Sequence, residues 1–257
     1  MNLSLALFAI LLAGCTTAGI SAEVKKSAGA AAKPAQNGVP PAKDFDVYKL
    51  SIWVANTDVQ RATINALTAY PEGLDILLEF ISTKADGYNA AYAAQSLLRC
   101  PNAKENEAKI VAIRTSVREK APAEIVERSH RHLALLALTE VLFALNPKNY
   151  AEDMVAAIRS RMVASGRNIS FSDEFAQQIS VISPLVDKRK LYPLVLPLAD
   201  LVDDGFFSDS PRKAYSTLQL ITGEKSDFNA SKREERHKAA EFYRELYYTK
   251  LKPTLGK

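Results

Sequence analysis

The 257-residue chain has only two cysteines, Cys15 and Cys100, and three histidines. Two thiols cannot build a disulfide framework or a zinc cluster. Three imidazoles leave metal-dependent and histidine-based catalysis little material. Glycine is scarce where a fold would be built. Of the ten glycines, Gly14, Gly19, Gly29 and Gly38 precede residue 44, and the other six fall near proposed helix boundaries. No stretch alternates apolar and polar residues as a half-buried strand would. Gly-x-Ser-x-Gly, P-loop and dinucleotide fingerprints are missing as well. An excess of one charge is also lacking: 33 Lys and Arg face 29 Asp and Glu, a net charge of +4, too mild to demand a polyanionic partner. What remains is 47% hydrophobic and 24% charged, the balance of a globular chain able to form a sizeable core.

Residues 1–14 carry no charged side chain, and Leu3 to Leu12 is a mostly apolar run. That run is too short for a bilayer span of about 20 residues, but it suits the core of a signal peptide. It leads into Leu12-Ala13-Gly14-Cys15, which resembles a bacterial lipobox. The resemblance implies that residues 1–14 are removed and that Cys15 is lipidated as the first mature residue. It also implies anchoring at the outer membrane, because Thr16 stands where Asp would favour inner-membrane retention. Residues 15–43 then read as a lipidated, disordered tether rich in Ala and Pro, with no large apolar residue at a structural period. Such a segment buries too little surface to offset its ordering entropy.

From residue 44 to 257 the pattern is helical throughout. Thr57-Asp58-Val59-Gln60 reads as a capping box with Thr57 as N-cap, followed by an apolar face of Val59, Ala62, Ala66, Leu67 and Tyr70. Pro71 separates this helix from a stripe of Leu74, Leu77, Leu78 and Ile81. Gly87 precedes a third helix, and a fourth spans about 105 to 119. Pro122 opens a longer one, whose second half, Leu133 to Leu145, is apolar on nearly every side and therefore expected to pack on several faces. Asn146-Pro147 starts the next helix, Gly166 stops it, and Phe171-Ser172 starts another. Residues 187–190 form a turn into an irregular helix containing Pro193 and Pro197. Ser210-Pro211 and Gly223 bound one more helix, and Ser231-Lys232-Arg233-Glu234 reads as a second capping box.

These helices pair at intervals of roughly 40 residues, the period at which hairpins stack because none can hide its own apolar face. Val59-Gln60-Arg61-Ala62 with Ala66-Leu67 resembles the first helix of a HEAT repeat, as does Asp209 to Ala214 with Leu218 and Ile221-Thr222-Gly223. The ending through Asp227-Phe228 and an aromatic-rich last helix resembles the C-terminal cap of bacterial HEAT-repeat lipoproteins. The resemblance implies an all-α fold, an α-solenoid of stacked antiparallel helix pairs.

Candidate chemistry is thin. His130 and His132 are two apart and point in different directions on a helix, and Glu127 one turn earlier makes only half of a carboxylate-histidine site. Cys100 reads as a buried, inert thiol, and His237, between Arg236 and Lys238, as a surface residue. The tyrosines of the last helix suit either an interface or a cap on the core. No metal or cofactor is implied, and the basic clusters lack the aromatic interleaving of a nucleic-acid site. The expectation is a non-catalytic, protein-binding or scaffolding lipoprotein of the bacterial envelope. Two alternatives stay open: a structural subunit of an envelope assembly complex, and a lyase-like enzyme on a helical scaffold. Helix order makes Lys109, Arg114, Arg159 and Arg161 candidates to line a binding face for an acidic partner.

Overall fold

The computed structural model describes residues 42–54, 56–119, 129–165, 173–204 and 209–255. The signal peptide, Cys15, the tether up to residue 41, Glu127 and the helix boundaries read at Pro122, Gly166 and Phe171-Ser172 lie outside the described residues. Among the described residues every regular element is helical: α1 (Ala42–Ser51), α2 (Thr57–Leu67), α3 (Gly73–Thr83), α4 (Ala90–Ser96), α5 (Glu107–Glu119) and α6 (His130–Leu145). Then come α7 (Pro147–Ser165), α8 (Asp173–Ile182), the short α9 (Lys188–Leu191), α10 (Val195–Asp204), α11 (Ser210–Thr222) and α12 (Arg233–Leu246). Pro193 sits in a 3-10 turn between α9 and α10, as its missing N–H requires.

Helix α1 was not foreseen. Its signal is Phe45, Tyr48 and Ile52, spaced to share one face. Tyr48 and Ile52 are buried, and both rings of α1 lie against Tyr70, at 5.1 Å for Phe45 and 6.3 Å for Tyr48.

Neither predicted capping box forms. Asn56, not Thr57, caps α2: its extended backbone aims Oδ1 at the N–H groups of Asp58 and Val59. Asn is as good a cap as any residue, so Thr57 is drawn into the first turn. Gln60 is then released from capping, and its amide spans Val54 and Asn89 instead. At α12 the cap position is Lys232, which makes no side-chain cap bond. The helix therefore starts two residues after Ser231, with Glu234 and Glu235 in its first turn, where the helix dipole favours them.

Two glycines meet steric demands. Gly223 closes α11 in the left-handed region at φ +78°, the ordinary glycine stop. At Gly73 a Cβ would fall 1.9 Å from the Leu67 carbonyl oxygen, so the α2–α3 turn admits no side chain there.

The main contacts run between helices one or two apart along the chain, counting α9 and α10 as one. Thus α2 meets α3 and α4, α4 meets α6, α8 meets α11, and α10 meets both α11 and α12. The apolar residues form two cores. The first is built from α1 to α6 around Ile64, Leu77, Phe80, Leu97 and Ile110. The second is built from α6 to the C-terminal turns around Ile158, Ile182, Leu198, Leu218 and Tyr243. Helix α6, read as apolar all round, serves both: Leu138, Val141 and Leu142 face the first core and Leu136 the second. No helix among the described residues is long and apolar enough to cross a membrane.

The last helix shows why its tyrosines need separate treatment. Tyr243 is fully buried and donates its hydroxyl to the Glu224 carbonyl at 2.9 Å. Burial pushes its phenol well above the ordinary range. Tyr215 stacks on Phe228 at 4.1 Å and meets Tyr243 edge-on. Tyr248, by contrast, is 55% exposed.

Candidate functional site

Three of the four basic residues expected to line a binding face are already matched to carboxylates. Lys109 on α5 reaches Asp75 on α3 at 2.7 Å. Arg114, also on α5, reaches Asp153 on α7 at 2.6 Å and lies 5.7 Å over the Tyr150 ring. Burial, with a hydrogen bond to Glu107, raises the Tyr150 phenol to about 12. Arg161 on α7 pairs with Glu140 on α6 at 2.7 Å and covers Phe175. Arg159 is exposed and makes no ion pair among the described residues.

Two of these pairs, those of Lys109 and Arg114, belong to a series. Asp75–Lys109 joins α3 to α5, Arg114–Asp153 joins α5 to α7, Glu152–Lys190 joins α7 to α9, and Arg244 joins α12 to Asp200 and Asp203 of α10. Each link connects helices two apart in the chain. Exposed pairs of this kind contribute about 0–1 kcal/mol each, so their role is to set register more than to supply stability.

The α10–α12 junction has the densest charge. Arg244 donates to Asp200 at 2.7 Å, to Asp203 at 3.0 Å and to Glu241. His237 Nδ1 lies 3.1 Å from both oxygens of Asp203. Burial pushes the Asp203 carboxyl up, but the hydrogen bonds from Arg244 and His237 outweigh it and hold the group below its usual range. Ligand atoms of Asp203, His237 and Glu241 lie within 4.8 Å of one another. The guanidinium already bridges both carboxylates, so the chain itself supplies the cation that such a cluster would attract. A cavity of about 370 Å³ beside it is lined by Asp203, Arg233, Glu234, His237 and Lys238. Sequence reasoning missed this junction. His237, Glu241 and Arg244 show helical spacing, but Asp203 arrives from another helix.

The remaining chemistry stays quiet. Cys100 is buried, and burial raises its thiol to about 11, so little thiolate exists near neutrality. His130 approaches the Asp86 carbonyl at 3.1 Å, whereas His132 faces Ser160 on α7 at 3.5 Å. The two imidazoles diverge, as their spacing requires.

A second surface was also missed, where α2 crosses α4. Arg61 on α2 lies between two rings, 5.1 Å from the Tyr88 centroid and 5.4 Å from that of Tyr92. Its Nε donates to Asn89 Oδ1 at 3.0 Å. Asn89 is 1% exposed, and its amide donates in turn to the Thr57 carbonyl and Gln60. One turn along α2, Asn65 Oδ1 accepts from Tyr92 Oη and from Arg99 Nη2, both at 2.7 Å. Arg99 also donates to Ser96. Neither Arg61 nor Arg99 pairs with a carboxylate among the described residues. Tyr88, 60% exposed, meets His130 edge-on at 5.7 Å. Two guanidiniums are thus fixed in place by rings and amides, with no carboxylate partner among the described residues.

No family model, no curated protein and no solved structure matches this chain.

Proposed function

We propose that the chain is a non-catalytic binding or scaffolding lipoprotein of the bacterial envelope. In this reading Cys15 carries the lipid, the outer membrane is the site of anchoring, and the helices form a HEAT-like α-solenoid. The observation that carries the binding role is the α2–α4 surface, where Arg61 and Arg99 are held rigidly yet not neutralised. Fixing long basic side chains in advance lowers the entropic cost of receiving a partner. Arginine and tyrosine are also the residues that most often dominate interfaces. Support for a stacked arrangement comes from helix contacts that reach one or two elements along the chain and from the ion pairs between alternate helices. Arg159 would add to the binding face without rearrangement. Lys109, Arg114 and Arg161 would exchange their own carboxylates for those of the partner.

Two measurements test this reading. Mass spectrometry of the mature protein is expected to find an acylated Cys15 at the N-terminus; an intact Met1 overturns the anchoring. A photo-crosslinking amino acid at Tyr88, in intact cells, is expected to capture one discrete protein. Labelling there no more specific than at exposed Tyr248 overturns the binding role.

A further inference from the structure

The geometry points to an acidic, extended peptide segment as the ligand of the α2–α4 surface, received on Arg61 and Arg99 between Tyr88 and Tyr92. This deepens the binding reading and rests on it. Both terminal nitrogens of Arg61 have no partner among the described residues, because only Nε is used, on Asn89. Arg99 likewise spends only Nη2, on Asn65 and Ser96. Arg61 therefore keeps its Nη1–Nη2 edge, which a carboxylate accepts bidentately, while Arg99 keeps Nε–H and Nη1–H for single charge-assisted hydrogen bonds.

Spacing selects the shape of the ligand. Arg61 and the Asn65 amide that holds Arg99 are four residues apart on α2, which places them about 5–6 Å apart along the helix face. In an extended chain, residues on one face recur about every 6.6–6.8 Å, twice the rise per residue. Carboxylates at alternate positions of such a chain recur at an interval close to the spacing of Arg61 and Asn65 on α2. Charge complementarity argues for such a segment, since the two cations are met by rings and amides rather than by acids. Nucleic acid fits less well. Arg61 lies over Tyr88 and over Tyr92, and Tyr88 meets His130 as well, so neither ring offers both faces to stacked bases.

The test is fluorescence anisotropy with the full chain and three labelled extended peptides: alternating Glu-Ser, alternating Gln-Ser and alternating Lys-Ser. The expected result is binding of Glu-Ser at least tenfold tighter than of Gln-Ser, with affinity falling as salt rises. Arg99→Gln, an exposed position, is expected to weaken binding about tenfold with an unchanged melting temperature. Arg61→Gln is expected to weaken it similarly, and Arg61→Lys to recover only part of the loss, because the point charge lacks the planar fork. Lys250→Gln, exposed in the turn after α12, is expected to leave affinity unchanged. Equal binding of Glu-Ser and Gln-Ser overturns the proposal, as does an Arg99→Gln protein that binds Glu-Ser like the parent. Displacement of Glu-Ser by single-stranded DNA or by anionic vesicles at lower concentration than by unlabelled Glu-Ser also overturns it, in favour of that ligand. If these tests fail while the Tyr88 crosslink still captures one protein, the binding role stands and only the acidic ligand is lost.

Discussion

Arg61 and Arg244 are the same residue type, both half-buried and both placed between two helices, yet their surroundings differ completely. Arg244 sits among Asp200, Asp203 and Glu241, so its charge is spent on joining α12 to α10. Arg61 sits among Tyr88, Tyr92 and Asn89, and its charge is left over. The comparison teaches that a basic residue on a helix face says little about binding until the residue opposite is known. Lys109, Arg114 and Arg161 look like binding groups in the sequence, and each turns out to face its own carboxylate. Arg61 looks like part of a repeat signature, and it meets rings and an amide but no carboxylate among the described residues.

The comparison is sharpened first by testing whether the two regions share one framework. Ile64→Ala near the α2–α4 surface and Leu198→Ala near the α10–α12 junction each empty a fully buried site. Each is expected to cost about 2–5 kcal/mol in denaturant unfolding. Because α6 contributes to both cores, a single shared transition is expected. Two separable transitions, each moved by only one variant, break the comparison by dividing the molecule into independent halves.

Next come the groups that hold each arginine. Asn89→Ala removes a buried amide that bridges Arg61, Thr57 and Gln60, at an expected cost of about 1–3 kcal/mol. Arg244→Met is expected to fall in the same range, since it leaves Asp203 with His237 alone. Arg61→Met is expected to fall at the low end of that range, about 1 kcal/mol, because it leaves only Asn89 Oδ1 without its donor, strands no carboxylate, and keeps a side chain packed between the rings. Equal losses for Arg61→Met and Arg244→Met would erase the distinction drawn between them.

Acid titration separates the two sites further. The folded-state pKa of Asp203 lies below its ordinary value, so its contribution is fully present above the unfolded value of about 3.9 and is lost as pH falls through the lower folded value. Thermal melts from pH 5 downward should show a shallower acid decline in Arg244→Met than in the parent, and a parallel decline in Arg61→Met. The smallest effect is expected from Lys109→Gln, whose exposed pair with Asp75 should change stability by no more than about 0.5 kcal/mol. A loss of several kcal/mol there would make the ion pairs between alternate helices structural supports instead of register marks.

Much of the helical order is legible in the chain. The stripe Leu74, Leu77, Leu78, Ile81 is buried as a unit, and Gly223 ends α11 in the left-handed conformation. The all-apolar stretch of α6 has two cores to face. Local errors were errors of competition. Thr57 and Ser231 carry the capping pattern, but Asn56 outbids Thr57 as a stronger acceptor, and α12 begins after Ser231. Helix α1 is short and straddles the tether boundary at residue 43, and no separate helix was read there because only three apolar positions announce it.

The sequence alone determined that this protein is helical, where most of its helices begin and end, and which face of each is apolar. Those properties depend on residues within about four positions of one another, and the chain displays such neighbours directly. Only the tertiary structure decided which charges cancel and which survive. The deciding partners stand far off in sequence, 28 positions between Arg61 and Asn89 and 44 between Arg244 and Asp200. Electrostatic fate depends on distances of 3 to 5 Å that no local pattern encodes.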